Sequence, residues 1–123
     1  MKPSHLLAGL LLALTLPALA QEDAATRRLA LNHCGACHSF GEGEAARQGP
    51  NLYGVTQRPA GSAEGFAYSE GFRKALAGRT WDAALLDRWL ADPQAVAPGT
   101  VMLYRQDDPD KRAQLVRFVE SLQ

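Results

Sequence analysis

Two cysteines and a histidine in close spacing constrain this chain more than any other feature. Cys34 and Cys37 are separated by two residues, and His38 follows directly. This spacing is typical of covalent attachment of a c-type haem. Each thiol adds across one vinyl group of the porphyrin, and the next residue then lies under the iron, where an imidazole nitrogen can bind it. The motif therefore predicts thioether links at Cys34 and Cys37 and iron ligation by His38.

Three other uses of a Cys-x-x-Cys pair lack their remaining parts in this sequence. A structural zinc site needs four ligands, and the only histidines besides His38 are His5 and His33. A thioredoxin-like pair needs a strand-rich fold around it, and no strand pattern is present. A disulfide between residues this close would be strained and would close too small a loop to stabilise much. The haem interpretation is favoured over all three.

The first twenty residues have the pattern of a secretory signal peptide. Lys2 supplies a positive start, residues 6–16 form a short apolar run, and residues 18–20 are a small-x-small cleavage site. The run is shorter than the about 20 residues that a spanning helix needs, so an uncleaved anchor is the weaker alternative. We expect cleavage after Ala20, a single domain over residues 21–123, location in the periplasm, and no stable membrane insertion.

Charge and size narrow the function further. The 13 basic residues equal the 13 acidic ones, and no basic stripe is present, which argues against a nucleic-acid partner. The domain left after cleavage is close to the lower limit for a self-sufficient apolar core. A buried haem would bind only the folded state and so stabilise it. We therefore expect the chain without haem to be poorly folded.

Apolar spacing and capping residues predict four helices. A long loop over residues 39–67, with no clear period, lies between the first helix and the second. One helix spans residues 23–33 with Asp23 as N-cap, and a short one spans residues 69–77. The third runs over residues 81–91 with Thr80 as cap and stops at Asp92 and Pro93. The last opens at Asp108 and Pro109 and continues to the C-terminus.

Pro50, Met102 and His33 lie outside the Cys-x-x-Cys-His motif or beside it, and each is interpreted separately. The Pro50 carbonyl is able to accept the ring N–H of His38 that is not used for metal binding, although an ordinary surface turn explains the same residues. Met102 is the only methionine besides Met1, so it is the best candidate for a second iron ligand, and methionine opposite histidine raises the reduction potential. His33 is expected to be a solvated surface histidine.

Taken together, the ordered landmarks resemble the small single-haem cytochrome c family over the whole mature chain. The landmarks are Cys34-Gly-Ala-Cys37-His38, Gly49-Pro50-Asn51-Leu52-x-Gly54, Phe66-x-Tyr68, Trp81, Pro98-Gly-Thr-x-Met102 and Phe118. The resemblance implies an all-α cytochrome c fold, with four to five short helices and long loops wrapped around one covalent haem c. It also implies that the protein is not an enzyme.

The resemblance also implies roles for single residues. Pro50 matches the proline whose carbonyl orients the proximal histidine, and Thr100 and Met102 match the distal loop. Phe118 matches an aromatic residue of the last helix, which crosses the first. Three further residues match positions that hold the haem propionates by hydrogen bonds: Arg58, Tyr68 and Trp81.

Several residues depart from the family pattern. Ala30 stands where the first helix usually carries an aromatic partner for Phe118, so Leu29 or Leu31 is expected to compensate. Trp89 occupies a position near the distal methionine that is often tyrosine, so a hydroxyl bond to the sulfur would be missing. Tyr104 lies where phenylalanine is usual. Much of the lysine ring familiar from mitochondrial forms is absent, which predicts docking by a less electrostatic route.

The leading functional hypothesis is a periplasmic one-electron carrier whose iron keeps both His38 and Met102 in each oxidation state. Its partners would be redox proteins: a dehydrogenase or quinol-oxidising complex as donor, and an oxidase or reductase as acceptor. The protein would be a monomer or the haem subunit of a periplasmic dehydrogenase. A gas-binding sensor, in which Met102 leaves the iron, and a peroxidase are weaker alternatives.

Overall fold

The computed structural model describes the backbone from Ala18 to Gln123 and side chains from Asp23 onward. Most of the expected signal peptide, residues 1–17, lies outside the described residues, and cleavage after Ala20 stays a prediction. The described residues form five helices and no strand, which confirms the expected all-α fold. The helices are α1 (Ala18–Cys34), α2 (Glu70–Leu76), α3 (Ala83–Ala91), α4 (Pro93–Val96) and α5 (Pro109–Glu120).

Two helices begin close to where the sequence predicted, and each has a side-chain cap. The Ser69 side chain accepts a hydrogen bond from the backbone N–H of Phe72 at the start of α2. At the start of α5, the Asp108 carboxylate accepts bonds from the backbone N–H groups of Asp110 and Lys111. These side chains satisfy donors that the first turn of a helix leaves without an intrahelical partner.

The predicted start of α3 is wrong by two residues. Asp82, and not Thr80, is the N-cap, and its carboxylate accepts the backbone N–H of Leu85 at 2.7 Å. Thr80 instead forms an isolated antiparallel bridge with Pro59. Trp81 therefore lies in the extended segment before the helix. The extended backbone is held by a contact with the long loop, which local spacing does not reveal.

The first helix is longer than predicted, and one helix was missed. α1 begins at Ala18, so Asp23 lies inside it and is not its N-cap. Past the end of α3, the chain forms the short helix α4, for which the Asp92 carboxylate accepts bonds from the backbone N–H groups of Gln94 and Ala95. The same Asp92 that ends α3 thus begins α4.

The core forms where α5 packs against α1 and α3. Ala30 is completely buried, at 0% exposure, which lets the two terminal helices approach closely. The aromatic partner of Phe118 comes from elsewhere: the Phe40 ring lies edge-on to it, with centroids 5.3 Å apart. Leu29 is partly buried against the core, whereas Leu31 is 45% exposed. The expected compensation by Leu31 is therefore wrong.

The close approach of α2 to the loop after α4 requires a glycine. A Cβ atom at Gly71 would overlap the backbone carbonyl of Pro98. Alanine has the better helix propensity by about 1 kcal/mol, but overpacking against fixed backbone costs about 1–3 kcal/mol. The overlap with Pro98 therefore outweighs the gain in helix propensity, and an alanine at position 71 should be destabilising.

We expect Gly71→Ala to lower the free energy of unfolding of the haem-loaded protein by about 1–2 kcal/mol. The measurement is the denaturant midpoint. Gly41→Ala is the matched control, because a Cβ atom there would meet only the flexible Glu44 side chain. Equal midpoints for the two variants would show that the backbone at Pro98 moves away from the added Cβ atom without a cost in stability.

Candidate functional site

A cavity of about 560 Å³ opens beside the end of α1. Apolar side chains of α3, α5 and the long loop form most of its wall, and no Lys, Arg, Asp or Glu lines it. The cavity brings together eight of the nine residues singled out from the sequence; the exception is Arg58. The eight are Cys34, Cys37, His38, Pro50, Tyr68, Trp81, Thr100 and Met102.

The His38 ring is fixed by the loop that follows the cysteine motif. Its Nδ1 lies 2.8 Å from the Pro50 carbonyl oxygen. A carbonyl oxygen only accepts, so Nδ1 carries the hydrogen and Nε2 keeps a free lone pair. Burial lowers the pKa of His38, and the Pro50 bond opposes that effect only in part. The ring is therefore held neutral, in the tautomer that a metal ligand requires.

Gly49 explains how the Pro50 carbonyl reaches the ring. A Cβ atom at Gly49 would run into the imidazole of His38. The backbone of this turn is also bonded to the motif itself, since the Gly49 N–H donates to the Cys37 carbonyl at 2.7 Å. The absence of a side chain thus lets the loop lie directly on the histidine.

Both cysteines are free thiols in the structure. Burial, and secondarily the neighbouring Cys37, raises the pKa of the Cys34 thiol to about 11. Reactive thiols of the thioredoxin kind have a lowered pKa, so the surroundings of Cys34 oppose that alternative. The Cys37 thiol donates a hydrogen bond to the Gln48 side chain at 3.1 Å.

The Met102 sulfur has a hydrogen-bond donor that the sequence analysis missed. The indole N–H of Trp89 donates to Sδ at 3.2 Å. The bond expected to be lost with the usual tyrosine is therefore supplied by an indole. A thioether sulfur has two lone pairs, so one remains for a metal. Trp89 is buried in α3, with 8% of its surface exposed, and its ring lies edge-on to those of Trp81 and Phe72.

Trp89→Phe should leave Met102 less firmly placed. Removing one typical hydrogen bond corresponds to about a fivefold change in an equilibrium or rate. We expect imidazole to displace Met102 from the ferric haem-loaded protein about fivefold faster, as followed by stopped-flow absorbance. Leu103→Ala is the control on the same segment, since that side chain is 82% exposed, and an equal rate increase in both variants would refute a specific role for the Trp89 N–H.

The three residues expected to hold propionates differ in placement. Tyr68 and Trp81 line the cavity, and the Tyr68 hydroxyl accepts the backbone N–H of Ala63 at 3.2 Å. The Arg58 guanidinium donates to the carbonyls of Tyr53 and Asn51, at 2.6 and 2.7 Å. Burial raises the pKa of Tyr68, and the bond from Ala63 and then the charge of Arg58 oppose that effect in part. Arg58 is thus engaged with backbone beside the cavity.

The expectation for His33 is wrong. It is half-buried and lines the cavity, and its Nδ1 lies 3.0 Å from the Tyr104 hydroxyl. The two rings meet edge to face, with centroids 5.8 Å apart. Two signals in the sequence pointed to this contact: a histidine directly before Cys34, and a hydroxyl at a position where phenylalanine is usual. Neither identified the other as its partner.

The residues around the cavity fit a haem. Two thiols and an imidazole lie at one apolar cavity that is within the 300–1,000 Å³ of small-molecule sites. The imidazole presents a free nitrogen lone pair, and a thioether lines the same space. Among the side chains described, from residue 23 onward, no group of three or more His, Cys, Asp or Glu is arranged to hold a bare metal ion. The donor set suits an iron that brings its own macrocycle.

Comparison with known proteins agrees with this geometry. The family model described as Cytochrome c matches residues 24–123. The chain belongs to the cytochrome c family. Cytochrome c-550 of Novispirillum itersonii is 40% identical over 109 residues, covering 81% of this chain and 98% of that protein. Cytochrome c2 of Rhodospirillum rubrum is 35% identical over 119 residues, covering 94% of this chain and 84% of that protein.

A solved structure supports the same assignment. Cytochrome cH from Methylobacterium extorquens superposes with a TM-score of 0.70 at 38% identity, covering 80% of this chain and 97% of that one. Cytochromes c carry a covalently attached haem c with its iron, so the expected cofactor is confirmed. They are electron carriers, and the protein is accordingly a c-type cytochrome of electron transport.

Proposed function

We propose that this cytochrome is a periplasmic one-electron carrier with a low-spin haem. Cys34 and Cys37 would hold the porphyrin, and His38 and Met102 would bind its iron. The single observation that carries the proposal is the pair of fixed donors at one cavity. The His38 ring is fixed through Pro50, and the Met102 sulfur through Trp89. A haem held by these residues would supply a one-electron ferric/ferrous couple, whose potential the ligands would set.

The protein residues would serve this function by keeping the ligands in place. The bond between Pro50 and His38 fixes the imidazole tautomer and makes the free nitrogen more basic. The apolar cavity wall excludes water and charge from the surroundings of the iron. A second axial ligand leaves no coordination position for a substrate, so the protein would act as a carrier and not as an enzyme.

The contacts of Met102 and His33 oppose the gas-sensor and peroxidase alternatives. A loosened sulfur was the reason to consider gas binding, and the Trp89 N–H instead donates to Met102. A peroxidase needs a free acid or base beside the iron. His33 lines the cavity with its Nδ1 paired to the Tyr104 hydroxyl, and with Met102 bound no position on the iron would remain open to peroxide.

The rim of the cavity suggests how partners dock. Val101 is 65% exposed and Leu103 is 82% exposed, and both line the cavity. Large exposed apolar side chains at a cavity without charged lining residues favour a small, mainly apolar contact. The expected partners are redox proteins: a dehydrogenase or quinol-oxidising complex as donor, and an oxidase or reductase as acceptor. Electron transfer should therefore depend only weakly on ionic strength.

The test of this proposal joins a mass measurement to a visible spectrum on protein from the periplasm. We expect a chain that begins at Gln21 with one covalent haem, a far-red band of ferric methionine-ligated haem, and no spectral change of the ferrous form with carbon monoxide. Binding of carbon monoxide, or a high-spin ferrous spectrum, would contradict the carrier. An exported chain that is folded but colourless, from cells competent in haem ligation, would contradict the haem site itself.

A second candidate keeps the chemistry and changes the partner. The exposed Leu103 and Val101 side chains also suit a permanent interface, as in the haem subunit of a periplasmic dehydrogenase. Obligate interfaces are larger and more apolar than transient ones. Purification at fixed stoichiometry with a second protein would favour the subunit, and a monomer at micromolar concentration would favour the free carrier.

None of the helices between residues 18 and 123 has the length and apolarity to cross a bilayer.

A further inference from the structure

The segment that carries Met102 is held almost entirely by side chains. Within the described chain, residues 101–105 make no hydrogen bond from backbone to backbone, whereas Thr100 before them and Gln106 after them do. Val101 and Leu103 point largely into solvent and contribute little packing. The position of this segment therefore depends on the few side-chain bonds that Met102, Tyr104 and Arg105 make.

One of those attachments is a directed chain of hydrogen bonds. The Asp108 backbone N–H donates to Gln106 Oε1 at 3.1 Å, which fixes the orientation of the amide. Gln106 Nε2 must then donate to the Tyr104 hydroxyl oxygen, at 3.1 Å. The hydroxyl hydrogen of Tyr104 is left to donate to His33 Nδ1, at 3.0 Å. The last direction holds in the His33 tautomer that carries its ring hydrogen on Nε2 and leaves Nδ1 as an acceptor.

The two ends of this chain are firmly anchored. Gln106 donates its backbone N–H to the Leu90 carbonyl of α3 at 2.8 Å, and its own carbonyl accepts from Arg112 of α5 at 3.0 Å. His33 lies in α1, directly before Cys34. Tyr104 thus connects the helix that carries the haem-attachment motif to the junction of α3 and α5.

The other attachment beyond Met102 is weak. Arg105 Nε donates to the Ala91 carbonyl at 3.2 Å, and its guanidinium lies 3.7 Å from the Asp92 carboxylate. The Arg105 side chain is 58% exposed. Exposed pairs of this kind contribute little. The half-buried contact of Tyr104 with His33 is therefore the stronger restraint on the segment.

We propose that the His33–Tyr104–Gln106 chain is a latch that holds the Met102 segment closed over the haem cavity. His33 and Tyr104 are positioning residues, since they act on Met102 and not on the iron. The latch sets how often the methionine leaves and so how fast an external ligand enters. The inference rests on the proposed ligation by Met102.

The test is a double-mutant cycle on the haem-loaded ferric protein, read by the rate at which imidazole displaces Met102. Tyr104→Phe removes only the hydroxyl, and His33→Phe removes the acceptor and keeps a ring. We expect His33→Phe to react about fivefold faster, the factor for one typical hydrogen bond, and Tyr104→Phe, which loses its bonds to both His33 and Gln106, to react at least that much faster. The double variant should react no faster than Tyr104→Phe alone, because both changes break the same bond.

Arg105→Gln is the matched control on the same segment, with an expected change of less than twofold. The amide hydrogen exchange of Gln106, compared across the cycle, gives a readout that does not involve the iron, and we expect the same non-additivity there. Additive effects, or unchanged rates in folded variants, would overturn the latch while the far-red band of the unmodified protein upholds Met102. Absence of that band in the unmodified protein would instead refute the ligand assignment.

Discussion

Residues 21–123 prepared without haem are expected to lose cooperative tertiary structure. Within the described chain, eight of the fourteen buried core residues line the haem cavity. Five of these come from α3 and α5: Leu86, Trp89, Leu90, Leu115 and Val119. Removing the haem would therefore leave more than half of the buried core residues without the group that they all pack against.

The expected size of the effect follows from the cavity. At about 24 cal/mol per Å³, leaving a space of this size without a haem would cost on the order of 13 kcal/mol as an upper limit. Small domains have a free energy of unfolding of only about 5–15 kcal/mol. Water entry through the open mouth and partial collapse would lower the cost, but either one breaks the packing of α3 against α5.

The measurement is circular dichroism during thermal unfolding, with the haem-loaded protein as reference. We expect the near-ultraviolet signal of Trp81 and Trp89 to be lost and the far-ultraviolet signal to melt without a sharp transition. Adding back haem should restore the transition only when the thiols and His38 are intact. A haem-free chain that melts sharply within about 2 kcal/mol of the loaded protein would contradict this prediction.

The sequence predicted those features that depend on neighbouring residues. The spacing of Cys34, Cys37 and His38 is dictated by covalent chemistry within one turn of chain, and the caps at Ser69 and Asp108 act within three residues. Family likeness then supplied the longer-range landmarks, and eight of the nine candidate residues lie at one cavity. Local pattern and family order together were sufficient for the fold and for most of the cavity wall.

Contacts between distant segments were the ones that sequence reasoning missed. The ring that meets Phe118 comes from Phe40, in the long loop, where no periodicity marks an inward-facing residue. The donor to the Met102 sulfur is an indole and not a hydroxyl, because Trp89, at the position where tyrosine is usual, reaches the sulfur with its own N–H. His33 was taken for a surface residue because its partner, Tyr104, lies far along the chain. Each contact depends on tertiary packing, which a helical period does not specify.

Met102→Leu should convert the carrier into a ligand-binding haem protein. The substitution keeps the volume of the side chain and removes the sulfur, which is the only thioether besides that of Met1. The axial position would then be open to small ligands. We expect ferrous protein to bind one equivalent of carbon monoxide per haem, where the unmodified protein binds none, and the reduction potential to fall, since methionine ligation raises it.

The same substitution leaves the Trp89 N–H without its acceptor, at 8% exposure of the side chain. A buried donor left unpaired costs about 1–3 kcal/mol, so the free energy of unfolding should fall by that amount in addition to the loss of the axial bond. Leu103→Ala is the control: its side chain is 82% exposed, and we expect stability within about 0.5 kcal/mol of the unmodified protein and no binding of carbon monoxide. If ferrous Met102→Leu protein stayed low-spin and excluded carbon monoxide, another residue would have to be the distal ligand. His33 would then be the first to test, because its ring lines the same cavity and Tyr104 holds only one of its two nitrogens.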